Sequence, residues 1–487
     1  MPEEGRRAGR AGVTAPIVAT KGRNGPGAKG AQEGGDVTDQ SQEEQPAAVS
    51  GPTQQAGEAQ NPGALRARWN WAELEVWTER MLTALEQGVK GNKWFRLIDK
   101  VYALPNLRKA FARMKANGGA AGVDQVTVEE FERHLEANLE MLAQTLRDGS
   151  YRPQAIRRVW IPKPGSKEKR PLGIPTVRDR VVQAALRAVL EPIFERNFAA
   201  HSYGFRPGRG CKEALCRVDT LLKQGYSWVV DADLKSYFDT IPHAALLDRV
   251  REKVADGKVL GLVAAYLTAQ VMETAKGWTP EGGTPQGAVI SPLLSNIYLD
   301  PLDHLLAGKG YEMVRYADDF VILCRSEAEA RTALEQVQQW TASAGLKLHP
   351  VKTRIVDATS RGGFDFLGYH FERGYRWPRQ KSLEKLKDTL RAKTRRTHGH
   401  SLKAIIITVN RTLRGWFAYF QHSHYTTFSP LDKWVRMRLR SILRKRRGRE
   451  GRGRGRDHQL WPNAFFANRG LFSLVTAHTL ACQSSCR

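Results

Sequence analysis

The sequence predicts an α+β fold bracketed by helical segments, and three observations lead there. Between Tyr151 and about Tyr375, short runs rich in β-branched and aromatic residues alternate with amphipathic helical stretches. Before Leu135 and after Lys381, apolar residues recur at three- and four-residue spacing instead. Of the 487 residues, 41% are hydrophobic and 26% charged, enough to bury a sizeable core.

Residues 1–64 stand apart. They hold no Phe, Trp or Tyr, 12 of the 44 glycines, and six basic against eight acidic side chains. Such a segment cannot bury enough apolar area to offset its ordering entropy, so a disordered tail is expected. A helical extension over 65–150 follows, with Trp71, Leu74, Trp77, Met81, Leu82 and Leu85 at helical spacing. A second helix through Leu107–Met114 should stop at Asn117-Gly118-Gly119. Asp124 and Thr127 then precede an apolar run beginning at Phe131.

In the mixed part, 151–376, strands are expected at Val159–Ile161, Trp228–Val230, Val314–Tyr316 and Phe320–Leu323. Helices are expected at Asp179–Phe194 and Glu327–Ala342. The last part, 377–487, reads as helical and very basic. Leu383, Leu386 and Leu390 make a narrow stripe among Lys381, Lys385, Lys387, Arg391, Lys393, Arg395 and Arg396. Ser429-Pro430 supplies an N-cap and a first-turn proline. The helix they open carries Val435, Leu439, Ile442 and Leu443 on one side, then Arg444-Lys445-Arg446-Arg447 and a Gly-Arg tract to Arg456. That tract reads as a loop within a fold continuing to about residue 480.

Charge points to the partner. The formal net charge is +26 and the pI about 10.0. The tail contributes −2, so the remaining 423 residues carry +28. Residues 431–456 alone hold 12 basic and 2 acidic side chains. A run so dominated by one sign fits phosphate contact better than a solvated face. Apolar runs such as Ala404–Ile407 fall far short of a membrane span, and no secretory signal is seen. Five scattered cysteines make no disulfide framework. A soluble cytoplasmic nucleic-acid binder without a membrane partner is expected.

The acids suggest chemistry. Tyr316-Ala317-Asp318-Asp319 lies between two apolar strands, where adjacent carboxylates repel and gain nothing from packing. Alone this is commonly a hairpin turn, where Asp is at home. A third acid changes the weight. In Trp228-Val229-Val230-Asp231-Ala232-Asp233, alternation points Asp231 and Asp233 to one face, and Asp233 stands at the strand's end. Hard oxygen ligands suit Mg²⁺. Two such ions about 4 Å apart can serve an in-line displacement at phosphorus. Spacing does not separate Asp231 from Asp233.

These residues, with Asp233–Phe238, resemble the catalytic core of reverse transcriptases. Other blocks resemble the branch encoded by group II introns, the reverse transcriptase/maturases. They are Ile161-Pro162-Lys163-Pro164, Arg170-Pro171-Leu172-Gly173-Ile174-Pro175, Ser202–Pro207, Gly283-Thr284-Pro285-Gln286-Gly287, Ser291–Asn296 and Phe366-Leu367-Gly368-Tyr369. The resemblance runs in the family's order from about Leu107 to near the C-terminus. It implies a right-hand polymerase of fingers and palm followed by a thumb and maturase domain X. Asp233, Asp318 and Asp319, with the carbonyl of Leu234, would hold two Mg²⁺ ions. Lys163 and Arg170 would bind the triphosphate, chemistry that an ammonium and a guanidinium fork suit. Phe238 would crowd the sugar 2′-carbon, although spacing equally allows a core aromatic. Gln286 and Gly287 would contact the nucleotide and template base pair, Gly287 also as a turn residue. Lys352 matches the lysine proposed to protonate pyrophosphate, or contacts phosphate. Asp239 and His243 read as supporting structure.

Leu413-Arg414-Gly415-Trp416-Phe417-Ala418-Tyr419-Phe420 resembles the domain X signature. Trp416, Phe417 and Phe420 have core spacing, which leaves RNA contact to Arg391, Arg395, Arg396, Arg414, Arg436, Arg440, Arg444, Lys445, Arg446 and Arg447. Implied partners are a group II intron RNA, an RNA template with its DNA primer, and target DNA. The setting implied is a bacterial-type, nucleoid- or RNP-associated one. Cys482 and Cys486 form a single pair, so neither a zinc site nor the endonuclease of many relatives is expected. Two other readings stand beside a polymerase that assists splicing and retrohoming: a splicing cofactor with dispensable polymerisation, and a reverse transcriptase recruited to defence or diversification. Intact acids argue against the first, and domain X against the second.

Overall fold

A computed structural model describes residues 62–162, 169–273, 276–397 and 399–485. The expected tail up to residue 61, Lys163 and Cys486 lie outside the described residues. The strands, in chain order, are β1 (Ile156–Pro162), β2 (Lys169–Ile174), β3 (Trp228–Asp233), β4 (Val271–Glu273), β5 (Lys276–Trp278), β6 (Glu312–Tyr316), β7 (Asp319–Cys324), β8 (Arg354–Asp357), β9 (Phe364–Phe366), β10 (Tyr369–Glu372) and β11 (Tyr375–Pro378). They form three sheets ordered β2-β1-β4-β5, β6-β7-β3-β8 and β11-β10-β9. The second of these, the central sheet, is antiparallel throughout.

Both faces of that central sheet are covered, which is why its strands read as near-continuous apolar runs. Val230, Ala232, Phe320 and Ile322 share one core with the helix Glu327–Ser343. Val229, Val321 and Leu323 share another with the helix Cys211–Lys223 and with Phe364 and Phe366 of β9. The first core extends to the N-terminal helices. Trp77 is fully buried and donates its indole N–H to the Ala188 carbonyl at 3.0 Å. The helical extension is therefore packed onto the long helix Val177–Glu195.

Local signals account for the element ends. Gly118, at φ +65°, closes the helix Leu104–Asn117. Thr127 and Glu130 form a reciprocal capping box on Val128–Arg133. One expectation needs correcting. The helix Phe428–Arg446 starts ahead of Ser429, without a side-chain cap, because a 3₁₀ turn over Tyr425–Thr427 feeds directly into it. Pro430 is its third residue, where a missing N–H still costs nothing.

A third core joins the helices Gln380–Lys393, Leu402–Phe420, Phe428–Arg446 and Leu474–Ser485 through Leu390, Val409, Leu413, Val435 and Leu439. The Gly-Arg tract is a loop pinned by Arg444 Nη1 to Asp457 Oδ2 at 2.6 Å. Gly453 lies so near Arg440 that a β-carbon would sit 2.8 Å from that residue's own. Among the described residues no helix is long and apolar enough to cross a membrane.

Trp77→Ala should cost about 3–5 kcal/mol in a urea-unfolding experiment. Leu74→Ala, half exposed in the same region, should stay within about 0.5 kcal/mol of the parent.

Candidate active site

The register of the central sheet assembles the acids. Asp233 at the end of β3 faces Asp319 at the start of β7, and Asp231 faces Val321. Cross-strand partners share a face, so Asp231, Asp233 and Asp319 all project from the side that carries Val229 and Val321. Asp318 occupies the two-residue turn between β6 and β7, closed by Tyr316 opposite Asp319. Ala317, ahead of it, has φ +60°, the positive value that a type II′ hairpin needs at its first central residue. Gly204 makes room: a β-carbon there would lie 2.2 Å from the Ala317 nitrogen. The Gly of the Ser202–Pro207 block is thus a contact of the acidic turn, a role that spacing along the chain could not reveal.

Backbone pairing aims a further oxygen. The Asp233 carbonyl accepts from His349 N–H at 2.7 Å, and Lys235 N–H donates to Lys347 at 2.8 Å. By alternation, the Leu234 carbonyl between them points the other way, toward the acidic hairpin.

Two cations attend the acids. Lys352 Nζ lies 2.7 Å from Asp233 Oδ2, and Arg354 Nε 3.3 Å from Asp231 Oδ2. The pairing of Arg354 follows from its register opposite Asp231 on β8. Burial pushes the Asp319 carboxyl up to about 7, with repulsion from Asp231, Asp318 and Asp233 adding to it. Burial also raises Asp318, assisted by Asp233, and raises Asp231 in spite of Arg354. Among the described residues, no three acid, imidazole or thiol side chains converge as tightly as a formed metal centre. The donor set nevertheless suits a hard cation, being all oxygen, partly desolvated and short of positive charge.

Between β1, β2 and the segment 279–286 opens a cavity of about 620 Å³, lined by Arg158, Trp160, Gly173, Phe238, Gly283 and Gln286 among others, and not by Asp233, Asp318 or Asp319. Phe238 does two things there. Its ring packs edge-on against Tyr237 and the main core, and it also lines the cavity. Gly287 is both a turn and a close approach: at φ +109°, a β-carbon would meet the Gly173 carbonyl at 2.5 Å. Gly173 N–H in turn donates to the Gln286 carbonyl at 2.6 Å. Arg170 does not join this group. Pro171 and Gly173 line the cavity, so alternation along β2 places the exposed Arg170 on the opposite face. His243 donates from Nε2 to the Gly283 carbonyl at 2.7 Å, which is scaffolding.

Residues 161–371 match the family model "Reverse transcriptase (RNA-dependent DNA polymerase)", and 383–461 match "Group II intron, maturase-specific domain". Protein YkfC of Escherichia coli (strain K12) is 34% identical over 291 residues, covering 52% of this chain and 76% of that protein. The chain belongs to the group II intron-encoded reverse transcriptase/maturase family. Its enzyme class is that of an RNA-directed DNA polymerase, joined to a maturase domain. The group II intron-encoded protein LtrA of Lactococcus lactis subsp. cremoris is 40% identical over 198 residues, 40% of this chain and 32% of LtrA. Nuclear intron maturase 4, mitochondrial, of Arabidopsis thaliana is 31% identical over 221 residues, 45% of this chain and 26% of that protein. The chain thus spans about a third or less of the length of these two relatives.

Within the maturase domain of this reverse transcriptase, the arginines divide. Arg395, Arg396, Lys445, Arg446 and Arg447 are exposed, the last with its guanidinium 5.1 Å from the Trp461 ring. Arg391 is exposed too, paired with Asp388 and lying over Trp434, and Arg414 lies over Phe472. Arg436 is half-buried, 3.9 Å from Asp432. Arg444 is engaged by Asp457 and by the Glu450 carbonyl at 2.7 Å. Arg440 corrects the expectation outright. It is 3% exposed, and donates to the Trp461 carbonyl and Asn463 Oδ1 at 2.8 and 2.9 Å. Its work is to hold the following loop, not to meet RNA. Phe417 and Phe420 are buried as their spacing implied.

The raised Asp319 carboxyl has a signed consequence. Its proton is held more tightly in the folded chain than in the unfolded one. The metal-free protein therefore loses stability as pH rises from about 4 to 7, and the penalty is complete above that. Asp319→Asn should remove it. In EDTA at pH 8 the variant should be more stable by roughly 1–2 kcal/mol, a value discounted for solvent access. At pH 4 the difference should vanish. Urea unfolding at the two pH values measures this.

Proposed function

We propose that this chain copies an RNA template into DNA by transferring nucleotides from dNTPs to a primer 3′-hydroxyl, and that its maturase domain binds a group II intron RNA to aid splicing and retrohoming. The observation that carries the reading is the juxtaposition of Asp233, Asp318 and Asp319 at one end of the sheet, with charge that no cation among the described residues fully offsets. Asp233 is favoured over Asp231 because it stands directly opposite Asp319, whereas Asp231 lies further from the turn and pairs with Arg354.

Two Mg²⁺ ions, held by Asp233, Asp318, Asp319 and the Leu234 carbonyl, would lower the pKa of the attacking hydroxyl and neutralise the leaving pyrophosphate. The chain's own residues do the positioning. Phe238 offers a flat ring at the cavity floor against which a sugar without a 2′-hydroxyl fits. Gln286 and Gly287, fixed to β2 by the Gly173 hydrogen bond, offer backbone and amide contacts for the incoming base pair. Of the two triphosphate ligands that the resemblance implies, Arg170 would have to reach the phosphates from the face of β2 away from the cavity, and Lys163 lies outside the described residues. Lys352 pairs with Asp233 and would meet a departing pyrophosphate as phosphate contact or proton donor.

The outward arginines of domain X and the +28 charge of residues 65–487 supply sequence-independent attraction to RNA and to target DNA. Such a surface suits action inside a ribonucleoprotein, in the cytoplasm or at the nucleoid. A purely splicing role would leave the retained acids unused.

The double variant Asp318→Ala, Asp319→Ala should lower primer extension on an RNA template by about 10³-fold or more. Its affinity for intron RNA should stay within about twofold of the parent. Equal loss of both would contradict the two-function reading. Intron RNA affinity of the parent should weaken by roughly 100-fold or more between 50 and 200 mM salt. A filter-binding titration that stays flat would remove the phosphate argument.

A further inference from the structure

Arg315 is the penultimate residue of β6, three before Asp318, and its side chain has no exposure to solvent. A charge so buried is costly unless every donor is used. Here four of the five N–H donors can be traced. Nε and Nη2 grip the two Asp303 oxygens at 2.7 and 2.5 Å, a bidentate fork. Nη1 donates to Asn296 Oδ1 and to the Ala317 carbonyl, both at 2.9 Å. Asn296 then donates to the Gly204 carbonyl at 2.8 Å. Gly204 is the residue whose missing side chain admits the Ala317 nitrogen. The backbone of Arg315 is also fixed, donating to His201 and accepting from Tyr203 at 3.0 and 2.8 Å.

This network therefore ends on one peptide segment. Ala317 is a non-glycine residue at φ +60°, a conformation that costs about 1 kcal/mol or more. It is held at its carbonyl by Arg315 and packed at its nitrogen by Gly204. The chain leaves it directly into Asp318 and Asp319. A hydrophobic pair in place of Arg315 and Asp303 would remove the cost of burying two charges, at the expense of the donor to Asn296 Oδ1. What such a pair cannot do is donate to the Ala317 carbonyl.

We propose that Arg315, anchored by Asp303 and Asn296, is a positioning residue of the polymerase that fixes the direction in which Asp318 and Asp319 leave their turn. The proposal rests on the polymerase reading above, and the parent enzyme serves as its control. A parent that extends no primer would sink that reading, whereas the variants below address Arg315 alone.

The test replaces the ion pair by an apolar one, Arg315→Met with Asp303→Leu, in the full chain with an annealed RNA template and DNA primer. The variant should still unfold in a single cooperative thermal transition. The dNTP KM should stay within about twofold, while kcat falls about tenfold or more, because a shift of about 1 Å in a reacting group can cost more than that. Mn²⁺ binding, followed by EPR without dNTP, should weaken by about tenfold. A folded double variant with the parent's kcat and Mn²⁺ affinity overturns the proposal. Should that variant fail to fold, Asn296→Ala takes its place, since it removes the Nη1 acceptor and the Gly204 bond while leaving the ion pair. The same loss of kcat and Mn²⁺ affinity supports the role of Arg315, and an unchanged Asn296→Ala enzyme overturns it.

Discussion

Like charges crowded at the end of a buried sheet are the constraint on which the rest of this structure depends. Asp233, Asp318 and Asp319 gain nothing from being together in the metal-free chain, and burial makes Asp318 and Asp319 harder to ionise. Keeping them there calls for rigid surroundings. The strand register of β3 with β7 fixes two of them, and the hairpin turn presents the third. Lys352 supplies partial compensation from the 349–353 segment, whose own backbone is tied to Asp233 through His349 N–H. A site of this kind stores its affinity for cations as instability in their absence.

The polymerase and maturase parts meet this constraint from different directions. Around the acids the chain spends its buried polar groups on the backbone: Arg315 on Ala317, Asn296 on Gly204, His243 on Gly283. In domain X the same residue types divide between inside and outside. Arg440 and Arg444 hold the loop that follows their helix, whereas Arg395, Arg396, Lys445 and Arg447 lie on the surface. In the proposed reading the outward set, not the total, would face phosphate. Tyr419 joins the two parts, donating to the Leu367 carbonyl at 2.7 Å while its own carbonyl accepts from Tyr369 at 2.6 Å.

Much of the fold was legible because its signals are local. Gly118 stops a helix by adopting φ +65°, and Thr127 and Glu130 cap the next one three residues apart. The apolar runs around Asp233 and Asp319 revealed strands because both faces of their sheet are covered. The acids themselves stood out because charge at a strand end conflicts with packing. What stayed hidden depends on contacts distant in sequence. Arg315 looks like an ordinary strand residue until Asp303, Asn296 and the Ala317 carbonyl close around it. Arg440 sits in a basic run of uniform appearance, and only the returning chain at Trp461 and Asn463 draws it inward. Arg170 and Phe238 look like neighbours by motif, yet strand alternation sets Arg170 on the face away from the cavity that Phe238 lines. Helix starts are similarly blurred where one turn runs into the next, as at Thr427 and Phe428.

The central claim is that one cluster of oxygen atoms binds the catalytic cations. A crystal structure of the chain with template, primer and a non-hydrolysable dNTP, grown in Mn²⁺ and phased on the manganese anomalous signal, tests it most directly. Two anomalous peaks within ligand distance of Asp233, Asp318, Asp319 and the Leu234 carbonyl, with Lys352 released from Asp233, are the predicted result. Peaks centred on Asp231, or on none of these residues, would contradict the account.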